Sequence, residues 1–251
     1  MTLTLITATY DSAETLEACL NSVAMQDYKQ VEHLIIDGGS SDGSKQIVYG
    51  YQSKIPGLKW FSEPDQGIYD ALNKGINKAR GDVIGFLHSD DLLPHSRVLS
   101  SIAKSIDQNN TDGLYGDLKY VSKEDPTRVI RYWKSQPFNP KLLRRGWMPA
   151  HPTFFLKRDV YRKHGKFNLK YKISADYDFM LRVLRDPELS FNYLPKVLVH
   201  MRTGGASNKS LSNLIQKSKE DYQVMRDHNF RIPLWSLTLK NISKIGQFLN
   251  K

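Results

Sequence analysis

The chain has 251 residues, of which 40% are apolar and 25% are charged, and its formal net charge is +10 at pH 7. The length is enough for one large α/β domain or for one domain plus a short appendage, and the composition is typical of a soluble globular protein. A single cysteine excludes an internal disulfide, no apolar run approaches the ~20 residues of a membrane-spanning helix, and the N-terminus lacks the basic segment of a signal peptide, so we expect a cytoplasmic protein.

The first predicted element is a buried strand over residues 3–8, which ends in the polar turn 9–12. Asp11 and Glu14 have the spacing of a capping box and predict the start of a helix. Cys19 lies in the apolar-periodic part of that helix, which favours a buried structural thiol over a nucleophile. The residues that recur on one helical face are Leu16, Leu20, Val23 and Ala24.

Two further strands are predicted in the first half of the chain. One covers residues 33–36 and stops at the Gly-, Ser- and Asp-rich turn 37–43, and the next covers residues 83–87 and stops at His88-Ser89-Asp90-Asp91. Between them, a helix is predicted from about residue 65 to residue 79, where Arg80-Gly81 ends the pattern. This alternation is typical of a parallel α/β sheet, in which ligands bind at the carboxyl ends of the strands. We therefore expect the polar turns to lie at one edge.

The second half of the chain mixes strands and helices. We predict a helix from Pro94 to about residue 106, strands near residues 114–121 and 129–133, a helix over residues 177–185, and short strands over residues 191–194 and 196–200. Residues 210–251 have the pattern of one or two amphipathic helices separated near Pro233. The predicted organisation is an α/β domain over residues 1–208 and a basic helical tail over residues 209–251.

Carboxylates near the ends of predicted elements are candidates for chemistry. Asp90 and Asp91 follow a buried strand directly, and Mg²⁺ or Mn²⁺ binds through one or two carboxylates plus substrate phosphates. The alternative for this pair is a solvated turn that caps the next helix. Asp37 has the alternative of a plain turn, and Asp176 has that of capping the helix that it opens.

Several segments together resemble the motifs of one enzyme family in their order and spacing. They are Ala8-Thr9-Tyr10-Asp11, Asp-Gly-Gly-Ser-Ser-Asp-Gly over residues 37–43, Glu-Pro-Asp-Gln-Gly-Ile-Tyr-Asp-Ala-Leu-Asn-Lys-Gly-Ile over residues 63–76, Arg80-Gly81-Asp82, His88-Ser89-Asp90, His-Pro-Thr-Phe-Phe over residues 151–155, and Ser-Ala-Asp-Tyr-Asp over residues 174–178. Over residues 2–208 the chain resembles the family 2 glycosyltransferases, which have the GT-A fold. The resemblance implies a mostly parallel sheet flanked by helices, and inverting sugar transfer from a nucleotide-sugar, taken to be UDP-linked.

The resemblance implies a role for each matching residue on the donor side. Asp37 would hydrogen-bond the nucleobase, Thr9 would line the same pocket, and Gly67 and Asn73 would contact the donor. Asp90 would coordinate a Mn²⁺ or Mg²⁺ ion on the diphosphate. Residues 1–118 would form this nucleotide-sugar and metal half, and residues 119–208 would form the acceptor half.

On the acceptor half, the resemblance implies that Asp176 is the general base that takes a proton from the acceptor hydroxyl. A carboxylate base contributes typically ~10²–10⁴-fold to the rate when it lies within hydrogen-bond reach. Residues 200–207 are basic and Gly-rich and resemble a loop that closes over the donor. His200 would be a further metal ligand and Arg202 a bidentate diphosphate clamp. The alternative is a simple surface loop.

The sequence departs from the family's pattern at four positions. The first Asp of the metal-binding Asp-x-Asp is His88, the second Asp of the turn after the second strand is Gly38, an arginine that often lies near the base is Leu72, and a frequent Glu before the base is Ala175. His88 would be a metal ligand, a hydrogen-bond partner, or a packed histidine without a ligand. Because Asp37, Asp90 and Asp176 remain, we expect variation within the family and a working enzyme.

The uneven charge bears on the partners. Residues 1–118 carry 9 Lys/Arg and 16 Asp/Glu, whereas residues 119–172 carry 15 and 3. We expect the basic part to face a glycan or lipid-diphosphate-linked acceptor, with Trp133, Trp147, Phe154 and Phe155 available to stack on sugars. Nucleic acid fits the charge as well, but no nucleic-acid-binding motif is present and none is expected as a partner.

The tail has two interpretations. It would lie on the anionic inner face of the cell membrane, with lysines reaching toward the headgroups, or it would pack on its own domain or a second subunit. The expected setting, from the resemblance alone, is surface polysaccharide biosynthesis. A nucleotidyltransferase with a related metal site and a non-catalytic glycan- or nucleic-acid-binding protein are the alternative functions.

Overall fold

The computed structural model describes residues 1–204 and 211–248. The strands within these ranges are β1 Leu3–Thr9, β2 Val31–Asp37, β3 Leu58–Ser62, β4 Val83–Phe86, β5 Gly113–Val121, β6 Val129–Trp133, β7 Phe155–Lys157 and β8 Phe191–Arg202. The α-helices within them are α1 Ala13–Ala24, α2 Ser44–Tyr51, α3 Ile68–Lys78, α4 Val98–Asn109, α5 Arg158–His164, α6 Ala175–Leu184, α7 Leu211–Asp227 and α8 Pro233–Ile242.

These strands form one sheet in the order β3–β2–β1–β4–β7–β5–β6, and β8 also pairs with β5. Strands β1 to β4 run parallel, as do β5 and β8, whereas β6 and β7 are antiparallel to their neighbours. The prediction of a mostly parallel α/β sheet is confirmed. Because β7 lies antiparallel between β4 and β5, strands β1 to β5 and β8 all end at the same edge of the sheet.

The central strands are covered on both faces, which explains their continuous apolar runs. In β1, Leu3 and Leu5 belong to the core cluster on the side of α1, α2 and α4. Ile6 and Ala8, which alternate with them, belong to the cluster on the side of α3, α5 and α6. The sheet is therefore the middle layer of three. The helices cover its faces and leave the polar turns at the carboxyl ends of the strands uncovered by either core cluster.

Two elements near the N-terminus are absent from the sequence prediction. Helix α2 and strand β3 lie between β2 and α3, so the strand that we predicted third along the chain is the fourth, β4. Helix α2 has only 8 residues, and β3 is an edge strand with mostly half-exposed or exposed residues. Neither element therefore carries a strong apolar period.

The capping box predicted for α1 is wrong. Helix α1 begins at Ala13, whose N–H donates to the carboxylate of Asp42 at 2.7 Å. Asp11 has a φ of +44°, and its carboxylate accepts the N–H of Ser41 at 2.9 Å. The acidic group that satisfies the start of α1 thus comes from the turn after β2, which a local pattern such as Asp11 and Glu14 cannot reveal.

In the second half of the chain, strand β7 and helix α5 were not predicted from the sequence. Two short strands were predicted, but the structure has a single strand, β8. The strand continues through Pro195 because its register against β5 shifts at that point. The tail forms two helices, α7 and α8, and Pro233 opens the second, as predicted. No helix within residues 1–204 and 211–248 is long and apolar enough to cross a membrane. Leu249 and Lys251, which we included in the tail's pattern, lie outside the described residues.

Candidate active site

The shared edge of the sheet brings the predicted polar turns together. Thr9 at the end of β1 is paired in register with Asp37 at the end of β2, and β4, which leads into His88 and Asp90, lies on the other side of β1. The segment after β3 joins them and contributes Asp65, which the sequence prediction did not single out.

Asp37 holds the turn that follows β2. Its carboxylate accepts the N–H groups of Gly39 and Ser40, each at 3.1 Å, and the hydroxyl of Ser62 on β3 at 2.5 Å. The hydroxyl of Ser40 donates to it as well. Asp37 is only 1% exposed. Both carboxylate oxygens of Asp37 are thus occupied, and they hold the turn after β2 against the end of β3.

Two side chains lie against this turn. A Cβ atom at Gly38 would lie 2.6 Å from Oδ2 of Asp65 and 3.2 Å from the ring of Tyr10, so only glycine allows these two side chains to approach the backbone so closely. Tyr10 is 65% exposed and presents its ring to solvent, while the hydroxyl of Thr9 is buried and has no hydrogen-bond partner among the described residues. The exposed aromatic ring of Tyr10 is a suitable surface for a flat heterocycle.

Gly67 and Asn73, both expected to contact a donor, lie at different depths. Gly67 precedes α3 with a φ of +115°, which favours glycine, and its N–H donates to Asp65 at 2.8 Å. Asn73 is buried, and its carboxamide both donates to and accepts from the backbone of Phe167 at 2.9 Å. Asn73 thus connects α3 to the segment between α5 and α6, and its amide group is occupied there.

The segment after β4 carries the predicted metal-site carboxylates. Asp90 is half-buried, whereas Asp91 is fully buried. Burial raises the pKa of Asp91 well above its usual range, and the negative charge of Asp90 adds to the rise. Asp90 is therefore the carboxylate of this pair that an ion or ligand in the cleft can reach.

The side chains of Cys19 and Arg202 both donate hydrogen bonds to the backbone of this segment. The thiol of Cys19 donates to the carbonyl of His88 at 3.4 Å, and burial raises its pKa, which confirms the prediction of a buried structural thiol. The guanidinium of Arg202, at the end of β8, donates to the carbonyl of Asp90 at 3.3 Å and is largely buried. Arg202 therefore fixes the backbone of the proposed metal residue.

His200 lies near the end of β8, where its N–H donates to the carbonyl of Leu92 and its carbonyl accepts the N–H of Leu92, each at 2.9 Å. Burial and the positive charges of Lys119 and His95 lower its pKa. Within residues 1–204 and 211–248, no group of three or more His, Cys, Asp or Glu side chains is placed to hold a metal ion. Gly205, Ala206 and Ser207 of the predicted closing loop lie outside the described residues.

Asp176 lies in the first turn of α6, and its carboxylate accepts the N–H of Tyr177 at 2.8 Å. Burial raises its pKa above the usual value, an effect that the positive charges of Lys217 and Lys240 oppose. Tyr69 on α3 lies beside it, donating its hydroxyl to the carbonyl of Ile173 at 2.7 Å, and the carboxylate adds to the rise that burial causes in the pKa of Tyr69.

His88 follows β4 and lies next to a second histidine, His151. Burial lowers the pKa of His88, and the negative charges of Asp90 and Asp176 both act in the opposite direction. The ring of His151 lies 6.0 Å from that of His88, and burial, followed by the neighbouring imidazole, lowers the pKa of His151 to about 3. The segment after β4 and the helical turn His151–Thr153 therefore meet at these two imidazole rings.

Some residues of the candidate site escaped the sequence prediction, and two aromatic assignments are wrong. Tyr69, Asp65 and the lysines of the tail carry no local signal that would connect them to Asp176 or Gly38. Phe154 and Phe155, which we expected to be available to sugars, are 2% and 1% exposed and belong to the core. A run of two aromatics beside basic residues could not distinguish a stacking surface from the inside of the sheet.

Comparison with known proteins places this architecture among glycosyltransferases. The sequence matches the family described as Glycosyl transferase family 2 over residues 4–166. A PGL/p-HBAD biosynthesis glycosyltransferase of Mycobacterium bovis is 31% identical over 207 residues, which cover 81% of this chain and 78% of that protein. The S. aureus TarS fragment 1-349 in complex with UDP-GlcNAc has a TM-score of 0.71 and 22% identity, over 90% of this chain and 65% of that one.

A further solved structure extends the comparison. The mannosyltransferase PcManGT from Pyrobaculum calidifontis, in complex with GDP-Man and Mn²⁺, has a TM-score of 0.66 and 18% identity, over 95% of this chain and 68% of that one. The two structural similarities confirm the GT-A fold. The family match decides against the nucleotidyltransferase and non-catalytic alternatives. The chain belongs to glycosyl transferase family 2 and is a glycosyltransferase.

Proposed function

We propose that the protein transfers a sugar from a nucleotide-sugar to a hydroxyl of a glycan or lipid-linked acceptor, with inversion at the anomeric carbon. The observation that carries this proposal is that β4, which leads to Asp90, ends at the same sheet edge as β1 and β2, while the hydroxyl of Tyr69 on α3 donates to the turn before Asp176 at 2.7 Å. The charges of Asp90 and Asp176 both act on His88, which agrees with this placement. A diphosphate held at the end of β4 would therefore have the carboxylate of Asp176 nearby. The family match ends at residue 166, so the role of Asp176 rests on this geometry and on the motif around it.

The proposed reaction uses Asp176 as the general base. As the acceptor oxygen attacks the anomeric carbon, Asp176 takes the proton from that oxygen. The new bond forms as the bond between the anomeric carbon and the diphosphate oxygen breaks, and the nucleoside diphosphate leaves with the electron pair. Attack opposite to the leaving group inverts the configuration. Burial raises the pKa of Asp176, which makes its carboxylate a stronger base than an exposed aspartate.

We propose that the surface formed by Tyr10 and the turn at Gly38 binds the nucleobase. The exposed ring of Tyr10 would stack on the base, while Thr9 and the turn held by Asp37 would form the wall. By similarity to TarS, which was solved with UDP-GlcNAc, we propose a UDP-linked donor. A GDP-linked donor, as in the PcManGT complex, is the alternative that a donor panel distinguishes.

The carboxylate of Asp90, which follows β4, is a suitable ligand for a divalent cation. Asp90 offers hard carboxylate oxygens in the cleft, which suit an ion that also binds substrate phosphates. We assign this role to Asp90, and Arg202 holds the backbone on which Asp90 lies. When bound, Mn²⁺ or Mg²⁺ would stabilise the negative charge that develops on the leaving diphosphate.

The donor site is tested by a panel of UDP-, GDP- and dTDP-sugars with Mn²⁺, Mg²⁺ or EDTA, followed by thermal unfolding and by release of nucleoside diphosphate. We expect one nucleotide class to raise the unfolding temperature when metal is present, because a ligand that binds the native state stabilises it. EDTA should abolish that rise. If no nucleotide-sugar and no nucleoside diphosphate has an effect, the donor-site assignment fails.

The acceptor is proposed to be linked to a lipid diphosphate, as would suit assembly of a surface polysaccharide or glycolipid. Arg144 and Arg145, on the short helical turn Pro140–Arg145, are exposed and would face the phosphates. Trp147 follows them and is partly exposed, so its ring is available to a sugar face, unlike Phe154 and Phe155.

The outer face of α7 and α8 is an apolar groove beside positive charges. The groove has a volume of about 520 Å³ and is lined mainly by Leu214, Ile215, Lys219, Tyr222, Leu234 and Leu237. Trp235, the next residue along α8, is 59% exposed, and Lys219 and Arg231 are exposed as well.

The acidic residues of α7 do not balance these charges on the outer face. Glu220 accepts N–H groups of the turn before α6, Asp221 pairs with Lys240, and Asp227 pairs with Lys170. Apolar side chains flanked by unbalanced lysine and arginine are the features of a surface that binds anionic lipid. We therefore propose that this face rests on an anionic bilayer, which would also hold the lipid-linked acceptor.

Replacing Trp235 and Leu234 by serine should reduce binding to vesicles that contain phosphatidylglycerol by at least several-fold, since lipid binding scales with the apolar area buried. Flotation at low salt measures the bound fraction, and Tyr49→Ser, at an exposed aromatic on α2, is the matched control. If the parent protein does not float, the lipid surface is excluded. If light scattering instead shows a dimer that the double substitution dissociates, a second copy of the chain covers this face.

A further inference from the structure

The inner face of α7 holds the turn that leads into α6. The carboxylate of Glu220 accepts the backbone N–H groups of Ile173 and Ser174 at 2.8 and 2.9 Å. Ser174, the residue before α6, makes no side-chain cap to its own helix, and its hydroxyl instead donates to Asp221 at 2.8 Å. Two adjacent carboxylates of α7 therefore hold the turn that leads into α6.

Lys240 on α8 completes this arrangement. Its Nζ lies 2.9 Å from Oδ2 of Asp221 and 3.4 Å from the ring centroid of Tyr177, and the residue is only 6% exposed. Lysine is rarely buried unless it is paired, and here its partners are a carboxylate and the face of an aromatic ring. Helix α8 is held in place by the hydroxyl of Ser236, which donates to the carbonyl of Arg144 at 2.8 Å.

Both partners of Lys240 adjoin the proposed base, because Tyr177 follows Asp176 directly and Asp221 binds the residue before α6. The titratable and charged groups around Asp176 are Tyr69 on α3, His88 after β4, Tyr120 on β5, Lys217, Glu220 and Asp221 on α7, and Lys240 on α8. Lys217 and Lys240 lower the pKa of Asp176 against the effect of burial, and Asp221 raises it.

The charge of Lys240 therefore acts on Asp176 in two ways. It favours the ionised carboxylate directly, and it neutralises Asp221, whose charge has the opposite effect. A substitution that removes the charge of Lys240 leaves the negative charge of Asp221 unbalanced. Removing the charge of Asp221 leaves the positive charge of Lys240 unbalanced. The two substitutions should thus move the titration of Asp176 in opposite directions.

We propose that Lys240 is a positioning residue for the transfer reaction: with Asp221 it anchors the first turn of α6, and its charge balances that of Asp221 next to the proposed base. The inference rests on the proposed role of Asp176 as the base. It makes α7 and α8, which lie outside the family match, part of the active site. The same two helices would carry the lipid-binding groove on their outer face and the support of the base on their inner face.

The test compares Lys240→Met, Asp221→Asn and the double substitution, with Arg226→Met at an exposed position of α7 as the control. The titration of Asp176 is followed directly by carboxyl ¹³C NMR of Asp-labelled protein, and its signal is assigned by its loss in Asp176→Asn. We expect Lys240→Met to move the midpoint up by about one pH unit and Asp221→Asn to move it down. The double substitution should return it toward the parent value, and it also removes the unpaired charge that would hinder folding of either single variant.

The acidic limb of the turnover–pH profile should follow these shifts, because only the ionised carboxylate accepts a proton. Equal midpoints in the parent, Lys240→Met and Asp221→Asn would overturn the inference, and so would shifts in the same direction for both. If Asp176→Asn retains full transfer, the proposed function fails, whatever the titration shows. If Asp176→Asn loses transfer while the midpoints stay equal, only the role of Lys240 is rejected.

Discussion

Asp176→Asn is expected to lower the rate of sugar transfer by about 10²–10⁴-fold and to leave the affinity for the donor nucleotide unchanged. Asparagine has the same shape, and its carbonyl oxygen can still accept the N–H of Tyr177, so the start of α6 should keep its structure. What is lost is the ability to take the proton of the acceptor hydroxyl. Turnover is measured by release of nucleoside diphosphate, and donor affinity by calorimetry.

The control for this substitution is Asp159→Asn, which removes an exposed carboxylate from the first turn of α5 and should change neither quantity. A parallel loss of donor affinity and turnover in Asp176→Asn would show that Asp176 binds the donor, and it would remove Asp176 from the role of base.

The rate of transfer should fall at low pH as the carboxylate of Asp176 becomes protonated. Burial raises the pKa of Asp176 above the usual value of an aspartate. The carboxylate is ionised, and able to accept a proton, at pH values above that pKa and loses this ability as the pH falls through it. Transfer should therefore decline on the acidic side at a higher pH than an exposed aspartate would give. The same decline should be absent from the residual activity of Asp176→Asn.

Asp90→Ala is expected to lower metal-dependent turnover by about 10²-fold or more, since a metal ion on the leaving diphosphate contributes several kcal/mol and each 1.36 kcal/mol is a tenfold change in rate. The side chain lies at the end of β4, and Asp91 cannot replace it because Asp91 is fully buried beneath the same segment. Turnover with Mn²⁺, Mg²⁺ or EDTA measures the loss. Binding of Mn²⁺ in the presence of nucleoside diphosphate, followed by electron paramagnetic resonance, provides a readout that is independent of activity.

The control for Asp90→Ala is Asp107→Ala, which removes an exposed carboxylate near the end of α4. Its turnover and its Mn²⁺ binding should equal those of the parent protein. If Asp90→Ala binds Mn²⁺ as tightly as the parent and remains equally sensitive to EDTA, the ion is held elsewhere, and the assignment of Asp90 is incorrect.

The departures from the family's pattern have visible structural counterparts. Gly38 leaves room for the carboxylate of Asp65, which comes within 2.6 Å of where a side chain at position 38 would begin. Leu72 is a fully buried core residue of α3, and the positive charges that act on Asp176 come instead from Lys217 and Lys240 of the tail. Charges lost from one part of the chain can thus be supplied by another.

Local patterns in the sequence were sufficient for the central elements of the fold. Strands β1 and β4 are short apolar runs buried on both faces, and α3 and α6 have a clear helical period, so each was predicted from its own residues. Helix α2 and strand β3 were missed because a short helix and an edge strand bury few side chains. The polar turns after the strands were recognised for the same local reason, since they interrupt an apolar pattern.

By itself, the sequence determined the fold class and the family, the carboxylates at strand and helix ends, and the break between the two C-terminal helices. The tertiary structure alone decided which groups meet: Asp42 satisfies the start of α1, Phe167 occupies the amide of Asn73, and Tyr69 of α3 donates to the turn before Asp176. The physical reason is that periodicity and turn chemistry act over a few residues, whereas burial, pairing and pKa depend on neighbours that only the register of the sheet and the packing of the helices bring together.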